Sequence, residues 1–145
     1  RWGTVTADLR QADSIADTFY TIGVVVSLWF SHPAIIASHA WGIAMIVFLE
    51  AARYPLDWYR FGRGASYHAY SAKLFGVSIV VAVTAIIGFS VVSPFLWISL
   101  VIGIISEVEG ILISLVLPHW TYDVKHLGIA MTIRRRQITD QYYKT

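Results

Sequence analysis

The chain has 145 residues, 57% of them hydrophobic and 14% charged, with a mean hydropathy of +0.61, which is too apolar for a soluble domain of this length. A net charge of +2 makes no case for nucleic-acid binding, and the lack of cysteine excludes disulfides and thiolate metal sites. The class that remains is a multi-pass membrane protein, in which any metal must be held by oxygen or imidazole.

Residues 1–12 form a polar lead-in that opens on Arg1, with neither a methionine nor a signal-peptide pattern, so a fragment or processed product is expected. Ser14 to Phe30 is apolar apart from Asp17 and a few hydroxyl residues, which makes a first span near the minimum length for crossing a bilayer. Ser31, His32 and Pro33 break it. The second span, Ala34 to Ala52, starts after a proline and is expected to stop at Arg53, with Pro55 just beyond. Tyr54 to Lys73 reads as a polar loop punctuated by Gly62 and Gly64. Leu74 to Val92 is the third span, Ser93 and Pro94 a tight break, and Phe95 to Leu117 the fourth, ending at Pro118. In the tail, 118–145, the stretch from Val124 to Arg136 suggests a short helix at the interface. The expected fold is all-α: a polytopic bundle of four transmembrane helices within 13–117, forming one membrane domain.

The basic residues fix an orientation. All eleven lie before the first span, between the second and third, or after the fourth, from Arg1 and Arg10 through Lys73 to Lys144. The positive-inside rule therefore places both ends in the cytoplasm, as expected for a protein of the cytoplasmic membrane. Trp41, Trp58, Trp97 and Trp120 near span ends read as interfacial belt residues.

Asp13 and Asp17 stand four residues apart where the first span begins, so their carboxylates share one helix face within reach of a common cation. A carboxylate in a bilayer is a functional hypothesis by default, the lesser alternative for Asp13 being a helix N-terminal residue at the water boundary, favoured by the dipole. Glu50 is three residues before Arg53, which suggests an ion pair within one helix. Glu107 and Glu109 lie deep in the fourth span and point to different faces, so one at most faces the aspartates. Glu109, beside Gly110, is the candidate cavity acid, with interhelical hydrogen bonding as the alternative. Single histidines such as His39, His68 and His119 have no zinc spacing. Carboxylates without sulfur suit Mg2+ or Mn2+ and imply a phosphate-bearing substrate, for which Arg60, Arg63 and Lys73 are candidate contacts or merely topological charge.

The run LRQADSIAD resembles the second half of the signature of the CDP-alcohol phosphatidyltransferase family, D-x-x-D-G-x-x-A-R, eight residues, G-x-x-x-D-x-x-x-D. The stretches FGRGASYHAYSAKLFG and EGILISLVLPHWTYDVK also look like segments of bacterial members. The resemblance implies a six-helix enzyme of phospholipid biosynthesis that moves a substituted phosphate from a CDP-alcohol to an acceptor alcohol and releases CMP. Four aspartates would hold two Mg2+ or Mn2+ ions. It makes Asp13 a metal ligand and Asp17 a ligand and general base, Arg60, Arg63 and Lys73 acceptor contacts, and the enzyme a homodimer using a CDP-alcohol lipid donor. Leu9 stands where the motif has glycine, and the motif's arginine falls just before Arg1, so the four spans would match the family's last four and this chain alone is expected to be inactive. The alternatives are a non-catalytic membrane subunit and a transporter or channel fragment with intramembrane acids.

Overall fold

The computed structural model describes residues 6–64 and 66–142. Arg1 and Lys144 lie outside the described residues, as does the side chain of Arg10. Among the described residues all regular structure is helical: α1 (Ala7–Ser31), α2 (Pro33–Ser38), α3 (Ala40–Phe61), α4 (Tyr70–Phe89), α5 (Phe95–Val116) and α6 (Leu127–Tyr142). Three helices are long and apolar enough to cross a membrane, over Gln11–Ser31, Tyr70–Phe89 and Phe95–Val116. The chain is thus an all-helical protein with membrane-spanning character. The remaining long helix, α3, carries Glu50, Arg53, Asp57 and Arg60.

Several boundaries differ from those expected, and four of the differences have a clear physical reason. α1 begins at Ala7 because Thr6 caps it, its Oγ1 accepting the amide of Leu9, so Asp13 lies well inside the helix rather than at its start. The expected second span divides at His39. There Ser38 Oγ donates to the Ile35 carbonyl and His39 Nδ1 lies 2.9 Å from the same oxygen, side-chain competition of the kind that interrupts helices. α3 then runs through Pro55 to Phe61 instead of ending at Arg53. Proline removes one backbone bond, but the turns beyond it are pinned from outside. Ser114 donates to Asp57, and Arg60 donates to the carbonyls of Leu115 and Leu117, the open C-terminal end of α5. Gly62, at φ 68, ends the helix in the left-handed region that glycine adopts without strain. The long loop shrinks accordingly to the residues between Phe61 and Tyr70, and Lys73 joins the first turn of α4.

α5 is the axis of the bundle, packed against α3 on one side and α4 on the other. Ser99, Gly103, Ser106, Gly110 and Ser114 form its buried stripe, at spacings that keep them on one face. The glycines let side chains approach the backbone: a Cβ on Gly103 would stand 2.6 Å from the Phe75 ring, and one on Gly110 2.7 Å from the Arg53 guanidinium. At one end Leu28, Ile36, Ile46, Ile86, Leu96 and Leu100 make an apolar core. At the other, Tyr67, Ala69, Ile113, Leu117, Val124 and Ala130 make a second, which seats α6. α1 is different: its close helical neighbour is α2, and its apolar face, including Phe19, Val26 and Phe30, is exposed.

Candidate functional site

Two cavities separate α1 from the α3 to α5 core. The first, of about 440 Å³, is lined by Asp17, Thr18, Glu50, Arg53, Tyr67, His68, Lys73 and Glu107 among others. The second, of about 290 Å³, is lined almost wholly by aliphatic residues and Phe75. Thr21, Glu50 and Phe75 belong to both walls, so the polar space continues into an apolar one.

The polar cavity lies at the end of the bundle where α1 and α4 begin and α3 and α5 finish. Its carboxylates enter from three helices. Asp17 lines it from α1, and Asp13, one turn earlier and 57% exposed, stands at its rim with Oδ2 3.7 Å from Nδ1 of His68. Glu50 accepts a hydrogen bond of 2.7 Å from Thr18 Oγ1, which ties α1 to α3. Arg53 does not pair with Glu50 as expected. It reaches across to α5, where Nη1 lies 3.1 Å from Oε2 of Glu107, in an ion pair whose angles fall short of a hydrogen bond. The open side of Gly110 makes room for it. Since α5 carries the small residues Ser106 and Gly110 at this point, the longer reach is available and the charged pair is withdrawn from the surface.

Glu107 therefore lines the cavity, and Glu109, the expected cavity acid, does not. Glu109 points to the opposite side of α5, accepts the amide of Leu127 at the start of α6 and takes a hydrogen bond from Ser71. It caps a helix that has no capping residue of its own in sequence. Of the three cations proposed as substrate contacts, Lys73 lines the cavity. Arg60 caps α5, and Arg63 lies over the Trp120 ring at 4.8 Å, while Trp120 Nε1 donates to the carbonyl of Gly64. Trp120 is thus a fastening of the loop as well as an aromatic residue near a span end.

Sequence reasoning missed a buried hydrogen-bonded chain at the cavity wall. Tyr67 Oη is 3.0 Å from Ser114 Oγ, which donates in turn to Oδ1 of Asp57, a residue only 1% exposed. The usable signal was the spacing of Arg53, Asp57 and Arg60, which is helical once Pro55 is allowed inside the helix. His68 lies in a loop and has no metal-site spacing in sequence, yet its side chain is 8% exposed and faces Asp13. Its backbone sits at φ 50, a region that histidine enters more readily than most residues but at a cost.

Burial pushes the Tyr67 phenol well above its ordinary value of 10.0. The Asp57 charge adds to the rise, while the Ser114 hydrogen bond and the cations Arg53 and Arg60 oppose it. The folded chain then holds this proton more tightly than the unfolded chain does. The stability this contributes is complete below pH 10 and is lost as pH climbs through the folded-state value. In an alkaline absorbance titration, one of the eight tyrosines should ionise only as the bundle opens, and Tyr67→Phe should remove that late component. Identical titrations of the two proteins would contradict the buried placement.

Whether these residues suit a divalent cation depends on their number and kind. Asp13 and Asp17 offer two carboxylates on successive turns, enough for one Mg2+ completed by water and phosphate oxygens. Among the described residues no group of three or more acidic or histidine side chains is arranged to hold a metal. The pair thus fits part of a metal site and not a whole four-aspartate set. Comparison with protein-family models, with characterised proteins and with solved structures finds no match to this chain.

Proposed function

We propose that this chain carries the metal- and donor-facing part of a CDP-alcohol phosphatidyltransferase of phospholipid biosynthesis, with four spans of which α2 and α3 form the second, and both ends on the cytoplasmic side. The observation that carries the reading is that Asp17 and Lys73, from different helices, line one polar cavity that continues into an apolar one. A ligand with a phosphate-bearing head and a lipid body would match that gradient. The motif likeness around Asp13 and Asp17 supplies the reaction class, and with four spans the basic residues would all fall toward the same side.

In this reading Asp13 and Asp17 would hold a Mg2+ or Mn2+ ion together with the diphosphate of the donor. When bound, that ion supplies charge neutralisation of the diphosphate and stabilisation of the CMP leaving group. Lys73 would meet a phosphate oxygen with its ammonium group. Asp17 would accept the proton of an acceptor hydroxyl brought into the cavity that it lines. Arg53 and Glu107 keep their charges paired at the cavity wall and so maintain its shape.

The test uses the purified chain in detergent micelles and Mn2+ as a paramagnetic probe. Mn2+ should bind, bind more tightly when CDP-diacylglycerol is added, and bind at least ~10-fold more weakly after Asp17→Asn or Asp13→Asn. Binding that ignores both substitutions, or no binding at all, would remove the metal-dependent transferase reading and favour a non-catalytic membrane role.

A further inference from the structure

We propose that His68 is a positioning residue for the Asp13 carboxylate, with its backbone fixed by the neighbouring Tyr67, which Ser114 links to Asp57; the metal aspect of this inference rests on the reading of Asp13 as a ligand.

Three observations converge on it. First, α1 has little helix-to-helix packing beyond α2, so something other than apolar contact must place its carboxylate-bearing turns. Among the described residues, polar contacts that do so at that end of the helix include Thr18 with Glu50 and with Tyr54, and Asp13 with His68. Of these, the contact with His68 is the one that involves a carboxylate of the motif-like pair. Second, the His68 ring is almost wholly enclosed while Asp13 is open, so the ring is the fixed partner and the carboxylate the one that is placed. Third, the backbone of His68 is held in the left-handed region between two buried neighbours, Tyr67 and Ala69. Tyr67 is anchored through Ser114 to Asp57, and the Ser66 carbonyl accepts the amide of Asp123. A conformation that histidine does not favour persists because these neighbours over-determine it.

The chemistry follows from the atoms that face each other. A neutral imidazole with its proton on Nδ1 would donate to Oδ2 of Asp13, leaving Oδ1 for a cation. The present 3.7 Å separation is within about 1 Å of hydrogen-bond length, the slack seen in sites that tighten on loading. Carboxylate ligands are commonly oriented by such outer partners, whose loss weakens metal affinity by about 10- to 100-fold.

The experiment uses the full chain in micelles with two readouts. Mn2+ affinity is measured for the parent, His68→Gly and His68→Asn. Glycine removes the ring without backbone strain, and asparagine keeps a donor near the Nδ1 position while tolerating the left-handed backbone. Affinity should fall about tenfold in H68G and stay near the parent's in H68N. Because the chain has no cysteine, spin labels can be placed uniquely at Ile15 and Tyr70, both exposed, to report the placement of α1 against α4 without any metal. That distance distribution should broaden in H68G and narrow again in H68N. Parental Mn2+ affinity in H68G overturns the proposal. If the parent itself binds no Mn2+, the metal reading fails and the distances decide: broadening in H68G upholds His68 as the residue that places Asp13, and an unchanged distribution overturns it.

Discussion

Replacing Arg53 by methionine is expected to destabilise the bundle by about 3 kcal/mol, because it strands the Glu107 carboxylate in a wall of the protein where little water reaches it. The expectation separates the pair from its parts. Two charges brought together away from water gain little net over two apolar side chains, but one charge left alone loses its attraction and keeps its desolvation penalty. The double substitution Arg53→Met with Glu107→Leu should therefore recover most of the loss. Methionine suits the position, since its unbranched chain can occupy the space above Gly110 that the Arg53 side chain now fills. Reversible unfolding in mixed micelles, compared across the parent, the two single variants and the double, gives the coupling directly. Additive effects, with no recovery in the double variant, would mean that the two side chains stabilise the bundle independently.

Asp57→Ala is expected to lower stability by about 2 kcal/mol, the loss of a charge-assisted hydrogen bond together with the exposure of two buried hydroxyls to an empty site. Ser114 would retain the Gly110 carbonyl 3.1 Å away as an alternative acceptor, which limits the damage. Asp57→Asn, which keeps an acceptor oxygen, should lose less than half as much. The same unfolding measurement decides it, and equal losses in the two variants would show that the carboxylate charge, rather than the hydrogen bond, is what counts.

The sequence was most legible where composition alone sets the structure. α5 was expected over Phe95 to Leu117 and is found over Phe95–Val116, since prolines flank a predominantly apolar run. α3 was misread because Pro55 is a local signal and its tolerance is a tertiary one: the bonds from Ser114 to Asp57 and from Arg60 to the end of α5 come from residues more than fifty positions away. The choice between Glu107 and Glu109 failed for a related reason. Helical spacing shows that two residues apart face differently, but which face meets α3 and which meets α6 depends on where the small residues of α5 fall against both. Asp13, Asp17 and Lys73 could be singled out by residue type and position. His68 could not, since an enclosed ring in a strained loop conformation is visible only once the loop is folded.

The loose seating of α1 has a bearing on the order of events at the ribosome. α1 is made before the residues that receive it, Glu50 on α3 and His68 ahead of α4, which follow 32 positions after Thr18 and, by 68 − 13, 55 positions after Asp13. Its carboxylates must therefore wait in the nascent chain until the 66–69 segment has emerged and α5 has arrived to supply Ser114, which anchors that segment. Synthesis runs from α1 to α5, so a polar cavity that α1 lines together with Glu107 of α5 can be completed only after most of the bundle has been made.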